Sequence, residues 1–330
     1  MQLRFDSEDR YFVATQLEAI DPDIYYNLVP GVVGRKLIPP IGQANPNLPS
    51  YKFIATILNG KTTVTRGRAK DQPTASVTRA DQTFSIHTFE EAFGWTVDEI
   101  RAAREVQGAS LEKDSFTAAL TKIEQDIDGA LALGIPNTNT TGIANNAYVA
   151  STASATTYGW FAQQSGGGGT QNNYATAAQI VSDIQTFISA QVQALKQAQV
   201  PGSDMPMFTN FALWLPNYHW AQLGMMPFSL GSGVVVTTVL KYIMDFPMLK
   251  AVEPWWRLDT AASGNLPMAI LVACDDEGRM LPFLGGALLP MNFERLPEQY
   301  TGRNVTIPCA GKCGGVPLRY PVGVRYLTGI

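Results

Sequence analysis

Apolar positions recur along this chain with two different periods, and the change of period divides it. From Tyr51 to Phe89 the pattern is that of strands. Tyr51, Phe53, Ala55 and Ile57 share one parity, and Thr83, Ser85, His87 and Phe89 alternate with Phe84, Ile86 and Thr88. Between these runs lies Thr62–Thr78, polar and basic, with Gly67 and Pro73 as punctuation. The pattern predicts a long two-stranded excursion over 51–95 with a charged tip. An isolated hairpin is marginal in water, so this one needs a surface to rest on.

From Thr96 the period becomes helical. Thr96-Val-Asp-Glu99 fits a capping box, in which a Thr hydroxyl and a Glu carboxylate each accept from the other's backbone N–H. Gly108 separates a short helix from a longer one over about 110–134. In the longer helix Leu111, Phe116, Leu120, Ile123, Ile127 and Leu131 form an apolar stripe, and Gly134 followed by Pro136 ends it. Residues 137–175 are rich in Thr, Asn, Ser and Gly, including Gly166–Gly169, and read as a long, partly mobile loop. A second amphipathic helix is predicted over about 176–199, with Ile180, Ile184, Phe187, Ile188, Val192 and Leu195 on one face and Pro201-Gly202 closing it.

Beyond it the elements shorten. Met207–Leu215, Leu249–Trp255 and Met268–Cys274 read as strands and Pro216–Leu223 as a helix, while Val234–Met244 fits either. The Pro- and Gly-punctuated tail has strand candidates at Val305–Pro308 and Val316–Tyr326. At the other end, Pro22, Pro30, Pro39, Pro40, Pro46 and Pro49 stand among Gly31, Gly34 and Gly42, which predicts an extended arm over 1–50 and not a packed element. Such an arm must lie on its own body or on a neighbour. The fold class is α+β with long extensions at the N-terminal side.

Composition narrows the function. In 330 residues, 45% are hydrophobic and 16% charged, which excludes a disordered, highly charged chain. A net charge of −4 provides no whole-chain field for gripping nucleic acid. Three cysteines cannot complete a disulfide framework. The segment MQLRFDSEDR places charges where a signal peptide needs an apolar stretch. The apolar runs Leu281–Met291 and Val234–Met244 fall short of the roughly 18 residues of a membrane span. The chain therefore reads as soluble and not exported by a signal peptide. Charge is also unevenly placed: between Ile135 and Leu240 only Asp183, Lys196 and Asp204 are charged. Either polar side chains solvate that surface or another protein covers it.

Candidate chemistry is sparse. His87 and His219 are isolated from any carboxylate pattern and read as structural. Leu230-Gly-Ser-Gly-Val234 has the wrong spacing for a nucleophile elbow, and Gly166–Gly169 is not followed by the Lys of a phosphate loop. Glu124-Gln-Asp126-Ile-Asp128-Gly129 resembles the start of a calcium loop, but its twelfth position is Ile135 where a bidentate Glu is required. These acids read instead as a solvated helix face. Cys309-Ala-Gly-Lys-Cys313 is half a zinc site without a second pair, hence two reduced thiols near a turn. Asn139 and Asn304 lie in sequons that have meaning only in an exported protein. No catalytic, cofactor-binding or metal-binding residue is assigned, and no cofactor is implied. The one charged cluster that supports a hypothesis is Arg66, Arg68 and Lys70. These cations fit a contact with nucleic acid, although no aromatic lies between them to stack a base, and they fit equally a neighbouring subunit's acids, since residues 96–134 hold 4 basic against 8 acidic residues; the inter-subunit contact is the hypothesis taken forward.

An arm, a long hairpin, an amphipathic helix, a charge-poor α/β region and a strand-rich tail, in that order, resemble the major capsid protein of tailed bacteriophages, the Hong-Kong-97-type fold. Two motifs carry the likeness. Gly134-Ile-Pro-Asn-Thr-Asn-Thr-Thr-Gly-Ile-Ala-Asn145 is similar to the turn that ends the spine helix in this family. Asn292-Phe-Glu-Arg-Leu-Pro-Glu-Gln-Tyr300 through Pro317-Leu-Arg-Tyr-Pro-Val-Gly-Val-Arg-Tyr326 is similar to the C-terminal segment of one branch. The resemblance implies an N-arm (1–50), an extended loop (51–95), a peripheral domain (96–175 and 286–330) and an axial domain (176–285). It implies a non-enzymatic protein that forms pentamers and hexamers closing into an icosahedral shell around double-stranded DNA, located in the virion and assembled in the bacterial cytoplasm. Its partners would be further copies of itself, packaged DNA contacted non-specifically, and separate scaffold, portal and decoration proteins, with no membrane. Some members cross-link an extended-loop lysine to an asparagine; Lys61 and Lys70 are available here, and no partner is assigned. An encapsulin-type nanocompartment shares the fold, and a cytoplasmic enzyme or binding domain without a recognised motif is the reading from another class.

Overall fold

A computed structural model describes residues 31–41, 45, 47–59, 76–96, 98–99, 111–154, 160–161, 175–198, 210–229, 237–262 and 266–330. The hairpin is present as strands β1 (Ser50–Asn59) and β2 (Ser76–Ser85), antiparallel in unbroken register from Ser50↔Ser85 to Asn59↔Ser76. It forms a two-stranded sheet of its own. The predicted second strand does not run on to 95. After Ser85 the chain starts β3 (His87–Thr96), which belongs to another sheet, so the hairpin ends ten residues earlier than the alternation implied. Period-2 alternation continues through both strands, and only the long-range partner separates them.

The capping box forms as read. The Thr96 amide donates to Glu99 Oε2 at 2.7 Å and the Glu99 amide donates to Thr96 Oγ1 at 3.1 Å. The long helix is Leu111–Leu133, and its stripe buries Ile123, Ile127 and Leu131 against the core. Gly134 follows with φ +78°, the left-handed C′ position that glycine occupies most readily.

The arm prediction needs correction where it can be tested. Residues 1–30 lie outside the described residues, but Gly34–Leu37 is a helical turn (α1), and Leu37 and Ile38 are fully buried. Three apolar positions among prolines gave too little periodicity to show it. In chain order, the long helix is α2 and Ala177–Ala198 is α3, which buries Ile180, Ile184, Phe187 and Ile188 as predicted. Residues 137–175 are not a loop throughout. A 3-10 turn at Ile143–Asn145 and a strand, β4 (Ala150–Ala153), break it, and Trp160 and Phe161 are buried.

The central sheet has the order β4-β13-β9-β5-β8, with β5 Phe211–Leu215, β8 Leu249–Pro254, β9 Met268–Ala273 and β13 Val324–Thr328. Every residue of β5 and β9 is buried, which is the pattern of strands covered on both faces. Beside it stand α4 (Asn217–Met225), the short pair β6 (Pro227–Phe228) and β7 (Thr237–Thr238), and α5 (Val239–Met244). The ambiguous run at 234–244 is thus both strand and helix. The switch falls at Thr238, whose Oγ1 accepts from the Lys241 amide at 3.4 Å as an N-cap. In the remaining sheet, β12 (Asn304–Cys313) pairs with β3 along one edge, and with β10 (Met291–Arg295) and β11 (Gln299–Thr301) in succession along the other. β11 is wholly exposed, so no apolar alternation marked it. The segment 316–320 is irregular, and the tail strand begins only at Val324. No helix among the described residues is long and apolar enough to cross a membrane.

Candidate assembly surfaces

The hairpin is two-faced near its base. Phe53 and Phe84 stack with ring centroids 5.9 Å apart, and Phe84 is buried, whereas Ile54 on the opposite face is 62% exposed. Lys52 and Asp81 form an ion pair across the strands, and Lys52 holds the Asp81 carboxyl below its usual range. The base is fixed to the body. The Ile86 amide donates to Pro49 O at 2.9 Å, and Thr140 Oγ1, in the turn after α2, donates to Ser85 O at 2.9 Å. Arg66, Arg68 and Lys70, and with them Lys61, lie outside the described residues.

Their expected acidic partners are in part engaged within the subunit. Glu124 pairs with Arg35 at 3.0 Å and Asp126 with Lys122 at 3.6 Å. Burial raises the Glu124 pKa, and Arg35 opposes the rise. Asp128 overturns the reading of a solvated acidic face, because it is completely buried. Its Oδ1 accepts from the Gly34 amide at 2.7 Å and from the Val33 amide at 3.3 Å. Trp255 Nε1 donates to both carboxylate oxygens at 3.3 Å, and Arg257 Nε donates to Oδ2 at 3.4 Å. The donors come from residues far away in sequence, so helical periodicity alone carried no trace of them. Asp128 lies on the same helix stripe as Leu131, which is the signal that would have placed it inside.

In the charge-poor stretch, Asp183 is also buried. It accepts from Ser154 Oγ at 2.6 Å and from Trp160 Nε1 at 3.0 Å. Among the described residues of 135–240, Lys196 is then the sole exposed charge. Met225, at the end of α4, is 68% exposed, and Met244, at the end of α5, is 52% exposed. No charged residue lies between Asp204 and Lys241 in sequence around Met225, whereas Met244 stands beside the exposed Lys241 and Asp245. Exposed large apolar side chains suit a surface that packs against protein.

The remaining chemical candidates do not assemble into a site. His219 is buried among Trp160, Phe161 and Tyr218, and desolvation pushes its pKa down to about 4. His87 lies in β3, away from it in the fold. Cys274, Cys309 and Cys313 are free and buried. Burial pushes the Cys274 thiol up to about 12 and that of Cys313 up to about 11, the opposite of an activated thiol. No group of three or more His, Cys, Asp or Glu that could hold a metal occurs among the described residues. An open cleft of about 520 Å³ at the end of α2 is lined by Asp126, Thr138, Asn145 and Arg257, among others. It has neither a histidine nor a cysteine, and Arg257 is already committed to Asp128.

The arrangement of hairpin, long helix and two sheets is that of known shell proteins. The capsid of Myoviridae phage XM1 has a TM-score of 0.72 to this chain, with 14% identity over 96% of this chain and 98% of that one. The structure of Mycobacterium phage Ogopogo has a TM-score of 0.59 at 13% identity, covering 96% and 97%. The capsid of a native GTA particle has a TM-score of 0.57 at 12% identity, covering 97% and 96%. These likenesses establish the Hong-Kong-97-type fold. Sequence comparison with curated proteins finds no match. The profile of the family described as "Major capsid protein" matches residues 60–330, and the chain belongs to that family.

Proposed function

We propose that this protein is the subunit of an icosahedral shell that encloses the double-stranded DNA of a tailed phage or prophage, built from pentamers and hexamers of the one chain. The observation that carries this reading is the β1–β2 hairpin, which among the described residues pairs with no other strand and exposes Ile54 while its base is bolted to the body. A two-stranded ribbon has little stability of its own. Resting on a neighbouring subunit would supply what it lacks, so assembly would contribute to folding stability.

The domain map follows with one adjustment. The extended loop is the hairpin ending at Ser85, and His87–Thr96 goes with α2 and the β12 sheet in the peripheral domain. Residues 176–285 form the axial domain, where exposed Met225 and Met244 would let subunits meet around a symmetry axis. Arg66, Arg68 and Lys70, which lie in sequence between β1 and β2, would touch acids of a neighbour. Net charge −4 suits a container that holds DNA loosely, with contacts that are non-specific. The role is structural and not enzymatic, with assembly in the bacterial cytoplasm. Separate scaffold, portal and decoration proteins would complete the particle.

The test is to express the full chain, alone and with candidate scaffold, and to measure assembly mass by light scattering and particle form by negative-stain imaging. Rings, sheets or closed particles of many copies are expected. A folded monomer under every condition, scaffold included, would overturn the reading.

A further inference from the structure

A long open sheet edge invites another strand, and short strands, Lys and Pro are the usual guards against it. At the edge of the central sheet, β8 is six residues long and carries Lys250 and Pro254. β3 has no such guard. It is ten residues long, holds neither Lys nor Pro, and among the described residues pairs with β12 alone.

The direction of its free groups follows from Pro308, which stands opposite Ala92. Pro308 O accepts from the Leu296 amide, on the β10 side of β12. The N–H and C=O of a strand residue point to the same side, so Pro308 turns away from β3, and its pair with Ala92 is of the non-hydrogen-bonded kind. The N–H and C=O of Glu90, Ala92 and Gly94 therefore point out of the sheet, and all three residues are exposed. Thr96 belongs to the same series, and its amide donates to Glu99 and not to β12.

The two faces of this edge differ. Phe93 meets Phe116 of α2, so the odd residues face that helix. There a groove of about 480 Å³ runs between Glu91, Ala92 and Gly94 of β3 and Ser115, Ala118 and Lys122 of α2. The opposite face carries Glu90, which makes no ion pair among the described residues.

Charge selects the occupant. Two β3 edges joined to each other would bring the carboxylates of Glu90 and Glu91 together, a like-charge contact. Residues 61–70, Lys61-Thr-Thr-Val-Thr-Arg-Gly-Arg-Ala-Lys70, match the edge in length and hold four cations and no acid. No ten-residue stretch apart from it holds more than two cations without an acid. Alternation would put Arg66, Arg68 and Lys70 on one face of a strand and Thr63, Thr65, Gly67 and Ala69 on the other, with Lys61 only at its end. The small set suits the groove beside Ala118, where Lys122 repels cations, and the cations suit the face of Glu90. The ribbon separates this segment from β3 of its own subunit, since Asn59 and Ser76 pair roughly 30 Å from Ser50 and Ser85 at the base.

We propose that residues 61–70 of a second copy add a strand to the free edge of β3, with their cations beside Glu90. The proposal rests on the shell reading, because it needs two copies to meet, and it names the acid and the backbone that receive Arg66, Arg68 and Lys70.

Light scattering of the full chain, with scaffold where assembly needs it, tests this. Ala92→Pro removes one outward N–H and none of the β12 ladder, so the subunit should stay folded by circular dichroism and lose assembled mass. Glu90→Lys should lose it too, as should Arg66→Glu with Arg68→Glu, and the three charge reversals combined should restore it. Full assembly of Glu90→Lys or of folded Ala92→Pro, or no recovery in the combined chain, would overturn the proposal. Should Ala92→Pro fail to fold, the charge exchange decides alone. If the unaltered chain never assembles, the shell reading fails, and a peptide of residues 61–70 added to the unassembled chain decides. Slowed hydrogen exchange at the Glu90, Ala92 and Gly94 amides would uphold strand addition, and unchanged exchange would overturn it.

Discussion

Trp160 Nε1 donates to Asp183 Oδ2 at 3.0 Å, and this bond joins α3 to an aromatic pair that lies between segments outside the described residues. Trp160 is fully buried and packs near His219, so the indole has no access to water. Asp183→Ala would leave its N–H unpaired. A loss of about 1–3 kcal/mol is expected, measurable by urea denaturation of the unassembled subunit. Asp183→Asn retains an acceptor and should cost less. Equal stability of all three proteins would show that the bond carries nothing.

His219 gives the subunit an acid sensitivity whose sign follows from its pKa. Burial depresses it from 6.5 to about 4, with the Ile330 backbone offsetting part of the effect. The unfolded chain therefore binds the proton first. The stabilisation is complete above about pH 6.5 and is lost as pH falls toward 4, by roughly 3 kcal/mol at most. His219→Phe, which keeps an aromatic ring in the cluster, should flatten that part of the stability–pH curve. An unchanged slope would mean that other groups set it.

Two glycines separate backbone strain from crowding. Gly134 and Gly302 have φ of +78° and +63°. A Cβ at Gly134 would stand 2.4 Å from Thr140 O, whereas one at Gly302 meets nothing within 4 Å. Gly302→Ala should cost about 1–2 kcal/mol, the strain of the left-handed region. Gly134→Ala should cost clearly more, since the turn that anchors Ser85 must also move. Thermal denaturation of the two variants side by side checks the difference.

Ile54→Lys alters the exposed face of the hairpin opposite Asp81 in register. Subunit stability should stay within about 0.5 kcal/mol, while assembly mass in light scattering should fall sharply. Normal particles would remove the hairpin face from the interface.

Charge reversal at the tip, Arg66→Glu with Arg68→Glu, should likewise weaken assembly without unfolding the subunit. High salt should weaken assembly of the unaltered chain in the same direction, as expected of exposed charge pairs. Assembly left intact by the double variant would sink the tip contact.

Much of this fold was legible because its signals are local. The capping box at Thr96 and Glu99, the stripe through Ile123, Ile127 and Leu131, and the Gly134 stop each depend on neighbours a few residues away. What stayed hidden depends on distant partners. The boundary between β2 and β3 exists because His87–Thr96 finds β12, more than two hundred residues on, and nothing in their shared alternation marks the change. Asp128 looked like surface charge because Trp255, Arg257 and the arm amides that satisfy it are far away in sequence. The candidate assembly surface in the charge-poor region was visible only as a want of charge between Ile135 and Leu240, and the burial of Asp183 deepens that want.

The placement of β12 and β13 sets a timetable. β12 joins β3 to β10 and β11, and β13 lies between β4 and β9. During synthesis β3 and β4 emerge early and must wait, since neither sheet closes until the stretch Asn304–Thr328 has been translated. Pairings of such long sequence separation also form slowly. A growing chain therefore carries the β1–β2 hairpin long before either larger sheet is finished. The piece that would reach out is made first, and the body on which a neighbour's hairpin would rest is completed last.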